Sequence, residues 1–283
     1  MPWADLGLHT LALVAYPGGL TLLAAGLLAE AGAGLVLGRG GWLPSARLLL
    51  RAATPHPLAV GAALFALLAA TQIAAPFNPV PAPQRNLLVA LAALAGAAWG
   101  VWVWAWERRR FDAGLLLVAQ AAWLVALLAP TVEVQSLRPQ ALGAVFVTYL
   151  LPLKVACAVL YLLCLPALIQ LLPELAPEGM YGSPGRRRGV EEAGFGALRL
   201  MLWLPYCGLF TSLFFAPPAD DAAGLLRFGL LTLAAAAAAV GLTAVLLRLG
   251  PGSGRALYVR VVGPLALGVA LLAVVTITLQ GLT

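Results

Sequence analysis

The sequence predicts an all-α, polytopic membrane helix bundle. About eight transmembrane helices form one domain over residues 1–283, with both termini on the outer (periplasmic) side. Three observations predict it. Hydrophobic residues make up 62% of the chain and charged residues 10%, with mean hydropathy +0.96, far from the roughly 25% charge of a soluble domain. The apolar residues gather into runs of about 20, the length at which a helix rising about 1.5 Å per residue crosses a hydrocarbon core about 30 Å thick. Finally, twelve of the 17 basic residues form four groups, one in every other gap between runs. Short loops rich in Lys and Arg stay cytoplasmic, so this alternation sets both the parity of the spans and their orientation.

The first run, Leu6–Ala29, follows Asp5 rather than a basic n-region and is too long for a cleaved h-region, so it is expected to remain as the first span. The cytoplasmic loop after it, about residues 30–56, opens at Glu30 and carries Arg39, Arg47 and Arg51. Gly38-Arg39-Gly40-Gly41-Trp42-Leu43-Pro44 precedes Ser45, a suitable N-cap, and then Ala46–Arg51, where Arg47 and Arg51 share one helix face away from Leu48 and Leu49. Such a helix lies along the headgroups, either as a plain anchor or lining the entry of a lipid-soluble substrate.

Pro57–Ala75 and Leu87–Trp106 follow, joined by an outer gap from Pro76 to Asn86. Trp102, Trp104 and Trp106 read as an interfacial belt ahead of the second cytoplasmic loop, about 107–112, with Arg108, Arg109 and Arg110. Ala113–Pro130 is the fourth run, and the outer gap after it holds Glu133 and Arg138. The fifth, Ala144–Leu172, would measure roughly 43 Å if fully helical; Pro152 and Pro166 each remove a backbone donor, so this span kinks or starts late. Lys154 is the charge near its middle, and it either snorkels to the outer interface or acts as a buried proton-relay or ion-pair residue. Gly194–Ala216 and Gly224–Leu249 flank an acidic outer turn, Pro217–Asp221. Val261–Gln280 follows the last cytoplasmic loop, about 249–260, whose group is Arg248, Arg255 and Arg260.

Several function classes are excluded by what these runs contain. The net charge of +6 is explained by topology and anionic headgroups, and no basic stripe interleaved with aromatics points to nucleic acid. Cys157, Cys164 and Cys207 all fall in apolar runs with no Cys-x-x-Cys, so neither an iron–sulfur cluster nor a metal site is expected on this chain. His9 and His56 cannot supply paired axial haem ligands. Dinucleotide, phosphate-loop and nucleophile-elbow signatures are missing too. No catalytic residue is assigned, and activity must come from the membrane path or from docked partners.

The third cytoplasmic loop, about 173–193, is the informative one. It reads Pro173-Glu174-Leu175-Ala176-Pro177-Glu178, then Arg186-Arg187-Arg188, then Glu191-Glu192-Ala193-Gly194, and holds four of the 11 acidic residues. Acidic residues gain nothing for orientation here, so they are expected to hold a partner, order the loop or handle protons.

With these segments in order, the chain resembles the H-type membrane-anchor family of respiratory complex I (NADH-quinone oxidoreductase) and its homologues in energy-converting membrane hydrogenases. That family has eight spans with termini outside, an amphipathic helix in a Gly/Arg-bearing first cytoplasmic loop, and a third loop carrying Pro-Phe-Asp-Leu-Pro-Glu-Ala-Glu and then Glu-Tyr-Ser-Gly. Pro173–Glu178 stands where the first motif would be and Glu191–Gly194 where the second would be, while Glu30, Arg39-Gly40 and Ala119-Gln120 fall in family-like order. There are departures. Where the family follows Ala-Gln with Ser-Tyr-Glu, this chain has Ala121-Ala122-Trp123, and Phe-Asp of the loop motif is replaced by Glu174-Leu175.

The resemblance implies a non-catalytic membrane-arm subunit of a complex I-like or hydrogenase-like oxidoreductase, diverged and set in a prokaryotic cytoplasmic membrane. It would anchor a peripheral redox module and help couple electron transfer to proton or sodium movement. By resemblance, Glu30, Arg39, Glu174, Glu178, Glu191 and Glu192 are junction, quinone-region or proton-path candidates, and Lys154 joins them on its position in the fifth run. Arg47, Arg51, Arg108–Arg110 and Arg186–Arg188 would dock partners. No cofactor would be bound by this chain apart from a quinone at its surface, and iron–sulfur clusters would lie in partner subunits beside antiporter-like membrane subunits. Two other readings stay open: a stand-alone secondary transporter, which calls for an inverted repeat that is not evident, and a quinone-reactive anchor of another oxidoreductase family.

Overall fold

The computed structural model describes residues 10, 14–37, 57–106, 112–145, 150–175 and 190–280. Among them there is no strand, and each of the eight apolar runs contains one main helix. These are α1 (Gly19–Val36), α2 (Pro57–Thr71), α3 (Leu87–Trp106), α4 (Ala113–Leu128), α5 (Leu151–Leu168), α6 (Val190–Phe214), α7 (Ala222–Leu249) and α8 (Gly263–Gln280). Short helical pieces fill the connections at Ala82–Gln84, Thr131–Val134, Pro139–Ala144, Pro173–Leu175 and Ser253–Leu257, and a π-turn, Tyr258–Val262, leads into α8. Among the described residues four segments are long and apolar enough to cross a membrane: α1, α5, α7 and the continuous stretch Ser253–Thr278. Apolar parts of α2, α3 and α4 are shorter.

Helix starts follow capping chemistry. Asp112 Oδ1 accepts the Leu115 N–H at 3.0 Å to open α4, Asp221 Oδ1 accepts the Gly224 N–H at 2.6 Å to open α7, and Asn86 Oδ1 accepts the Leu88 N–H at 2.8 Å to open α3. The fifth helix does start late: it begins at Leu151, with Pro152 in its first turn, where a missing N–H costs nothing, and it continues through Pro166. The first run is divided, with Thr10 and Val14 helical ahead of α1. α1 starts at Gly19, after a turn over Ala15–Gly18, and runs past Glu30 to Val36, so Glu30 is a mid-helix residue and not the first residue of a loop.

The bundle is organised around α6, which packs on α1, α2, α3, α5, α7 and the Pro139–Ala144 helix. Every residue from Leu202 to Phe214 is buried, the pattern of a helix apolar on all sides and enclosed by others. By contrast α8 leaves Leu267, Leu271, Val274 and Val275 exposed, as a lipid-facing helix does. At the centre Trp123 of α4 meets Tyr161 of α5 and Tyr206 of α6 edge-on, with ring centroids 6.2 and 5.5 Å away, and Phe210 and Phe214 close the cluster around Tyr161. The Tyr161 hydroxyl donates to the Tyr206 carbonyl at 2.8 Å, which meets the polar demand of a phenol in a dry interior.

Two glycines fix how closely the helices approach. A Cβ at Gly26 would lie 2.0 Å from the Leu200 carbonyl oxygen, so α1 and α6 touch backbone to backbone there. A Cβ at Gly143 would lie 2.6 Å from the Ser212 and Phe215 carbonyl oxygens, which seats the Pro139–Ala144 helix on the end of α6. Without water to drive association, such close packing of small residues is a main source of helix–helix affinity in a bilayer. Gly32, with nothing within 4 Å of its Cβ position, is the internal control. Gly26→Ala is expected to lose about 2 kcal/mol of unfolding free energy through overpacking, whereas Gly32→Ala is neutral or gains up to about 1 kcal/mol. Thermal unfolding of both variants in one detergent checks the pair.

Candidate functional site

The close approach at Gly26 brings one turn of α1 against one turn of α6, and the residues a turn further on carry the charge. Glu30 lies four residues after Gly26, and Arg199 and Trp203 lie four apart on the facing side of α6, so i,i+4 spacing stacks each pair on one face. The Arg199 guanidinium grips the Glu30 carboxylate with two nitrogens: Nε donates to Oε1 at 2.6 Å and Nη2 to Oε2. Trp203 Nε1 adds a third donor to Oε1 at 3.0 Å. The two charged side chains are only 7% and 8% exposed. A two-nitrogen fork onto a carboxylate is the strongest pairing available to a side-chain carboxylate, and the indole leaves Oε1 with two donors. Charges at this depth are costly unless paired, which is why intramembrane ionisable groups mark functional positions by default.

Lys154 has a different task. In the first turn of α5, its ammonium donates to the carbonyls of Leu142, Gly143 and Val145 at 2.9, 3.3 and 2.9 Å. These are the last carbonyls of the Pro139–Ala144 helix, which have no partner within their own helix. A cation there satisfies them and meets the negative end of the helix dipole. Lys154 therefore pins this short helix, which Gly143 in turn seats on α6.

Glu174 sits in the Pro173–Leu175 turn, where its backbone carbonyl accepts the Asp112 N–H at 3.1 Å. Its carboxylate packs against Gly254: a Cβ there would be 3.1 Å from Oε1 and 3.2 Å from Oε2. The Oε2 atom is buried without a partner among the described residues, and so are both amide atoms of Gln170, a fully buried side chain at φ 60°. On the same face Arg255 Nε approaches Asp112 Oδ2 at 3.8 Å, an exposed and weak pair. The π-turn follows at once, and the Tyr258 hydroxyl in it accepts the Ala167 N–H at 3.2 Å and donates to the Leu163 carbonyl at 2.7 Å, tying this face to the end of α5.

Glu30, Lys154 and Glu174 thus sit in separate settings, each with its own neighbours. The backbone of Glu191 and Glu192 opens α6. Arg39, Arg47, Arg51, Arg108–Arg110, Glu178 and Arg186–Arg188, together with the short amphipathic helix expected over Ala46–Arg51, lie outside the described residues. Among the described residues no three His, Cys, Asp or Glu side chains gather to hold a metal, and the three cysteines are buried and unpaired. Sequence reasoning missed Arg199 and Trp203. The available signal was one arginine inside the otherwise apolar stretch of α6, which requires a carboxylate from another helix. A scan against protein-family models finds no match to this chain, and no curated protein matches it either.

Arg199→Gln is expected to cost about 3–5 kcal/mol, because it leaves the Glu30 carboxylate buried and uncompensated. Lys154→Met should cost about 2 kcal/mol, the scale for removing charge-assisted hydrogen bonds. Thermal unfolding of the purified variants in a common detergent measures both.

Proposed function

We propose that this chain is a non-catalytic membrane-arm subunit of a complex I-like or energy-converting-hydrogenase-like oxidoreductase. In that role its eight helices span a prokaryotic cytoplasmic membrane with both termini outside, and its arginine- and glutamate-rich loops face the cytoplasm. The observation that carries the reading is the Glu30–Arg199–Trp203 contact, a buried charge pair joining the first helix to the central one in a chain with no cofactor signature of its own. A charge pair that deep is worth more as a coupling or registering device than as a source of stability.

Glu174, braced on Gly254 and Asp112, and Glu191 and Glu192, at the start of the same helix that carries Arg199, support a junction on the loop side of the bundle. A partner docked there would pull on α6 directly. Iron–sulfur clusters and the redox chemistry belong to the peripheral module in this proposal, and a quinone would meet the chain at that junction. Ion movement would fall mainly to antiporter-like neighbours, because Trp123 fills the place of the α4 carboxylate with a packed indole.

Mild-detergent purification of the tagged chain from its native membrane, followed by mass spectrometry and a visible spectrum, tests the proposal. Stoichiometric iron–sulfur and antiporter-like subunits with an iron–sulfur absorbance are the expected outcome. A homogeneous, colourless protein without partners contradicts it.

A further inference from the structure

At the α2–α3 end of the bundle, the connection ahead of α3 faces the segment that precedes the Pro139–Ala144 helix. The two are clamped by the Leu87 N–H donating to the Leu137 carbonyl at 2.7 Å. Between them lies an open cavity of about 590 Å³ whose lining includes Gln84, Arg85, Asn86, Ser136 and Arg138, with two arginines and no carboxylate among the described residues. Arg85 is only 6% exposed, and its hydrogen-bond partners are neutral: Nε donates to the Val80 carbonyl at 2.9 Å and Nη2 to the Asn78 carbonyl at 3.1 Å. Its third nitrogen, Nη1, is buried with no partner among the described residues. The nearby carboxylate, Asp220, makes no ion pair with it and instead accepts the Phe77 N–H at 2.8 Å.

A buried guanidinium whose hydrogen bonds go to carbonyls carries a desolvated charge, and the nearby Asp220 carboxylate acts on it only through space. Burial pushes Arg85 below its ordinary range, and Asp220 and Tyr16 offset only part of that. Arg138, at the opposite wall, is exposed and has no ion-pair partner among the described residues. The positive end of the α3 dipole lies beside the same space. Leu88 and Val89, which follow the cavity-lining Asn86 in the first turn of α3, are apolar and 44% and 37% exposed.

We propose that this cavity binds a phosphate group between Arg85 and Arg138, either the headgroup phosphate of an anionic lipid or a soluble phosphate. Arginine forks match phosphate oxygens in pairs. The exposed Leu88 and Val89 suit an acyl chain, which is what separates the two sources. This site is independent of the redox role proposed above.

The test uses the full chain, delipidated in a neutral detergent, with thermal midpoints read against three titrants at constant ionic strength: sodium phosphate, sodium chloride, and dioctanoyl phosphatidylglycerol. Saturable stabilisation by phosphatidylglycerol but not by phosphate supports the site and assigns it to a headgroup; saturable stabilisation by both supports it and assigns the phosphate group alone. In either case Arg138→Gln, at an exposed position that leaves the fold intact, should weaken the apparent affinity about tenfold, the scale of one lost charge-assisted contact, and Arg138→Lys should recover part of it. No saturable shift beyond chloride, or an equal shift in wild type and Arg138→Gln, overturns the proposal.

Discussion

The contact on which the rest of this structure depends is the fork between Arg199 and Glu30, completed by the Trp203 indole. Leu22, Gly26, Glu30, Ala33 and Gly34 are the buried residues of α1, so its inner face is one large side chain, one carboxylate and otherwise small residues. A face of that kind can seat itself only where a partner supplies both a close backbone and a cation. α6 supplies both within one turn, the Leu200 carbonyl at Gly26 and Arg199 at Glu30. Neither residue could remain at this depth alone, since a lone buried charge costs several kcal/mol. The pair fixes the rotation and height of α1 against the central helix, and greasy packing without directional bonds would leave those free to slide.

The same rule governs the polar groups elsewhere. Lys154 answers the carbonyls that the Pro139–Ala144 helix cannot satisfy itself, and Tyr258 does the same at the end of α5. Asn78 folds its amide back onto the carbonyls of Thr71 and Ile73 at the end of α2, at 3.1 and 2.8 Å. In a medium without water, each helix end that stops inside the bundle must find a side chain to finish its ladder. Among the described residues the exceptions include Arg85 Nη1, Glu174 Oε2 and the Gln170 amide at the two connecting faces, together with the Tyr16 hydroxyl and the Trp123 indole N–H. In the aromatic cluster between those faces the Tyr161 and Tyr206 hydroxyls reach carbonyls, and the Trp123 indole N–H does not.

Much of this is legible in the sequence. Each apolar run delivers helix, because a run of about 20 apolar residues has few other ways to satisfy its backbone. The late start of α5 is readable from Pro152, whose missing N–H costs least in a first turn. The end of the first span is not where the apolar run puts it: α1 continues past Ala29 and Glu30 to Val36, because residues 31–36 are as apolar as the stretch before them. Local composition also makes Glu30 look like the edge of a loop. Its partner is 169 residues away, beyond any periodicity. Lys154 stays open between two readings for a related reason: its answer lies in three carbonyls, which leave no mark on side-chain identity.

The most direct test of the central claim is a double-mutant cycle on Glu30→Gln and Arg199→Gln, with unfolding free energies measured in one bilayer mimetic. Each single variant is expected to be strongly destabilised and the double variant to recover, with a coupling of about 2 kcal/mol or more. Additivity within about 0.5 kcal/mol would show that the two residues do not act as a pair and would contradict the account.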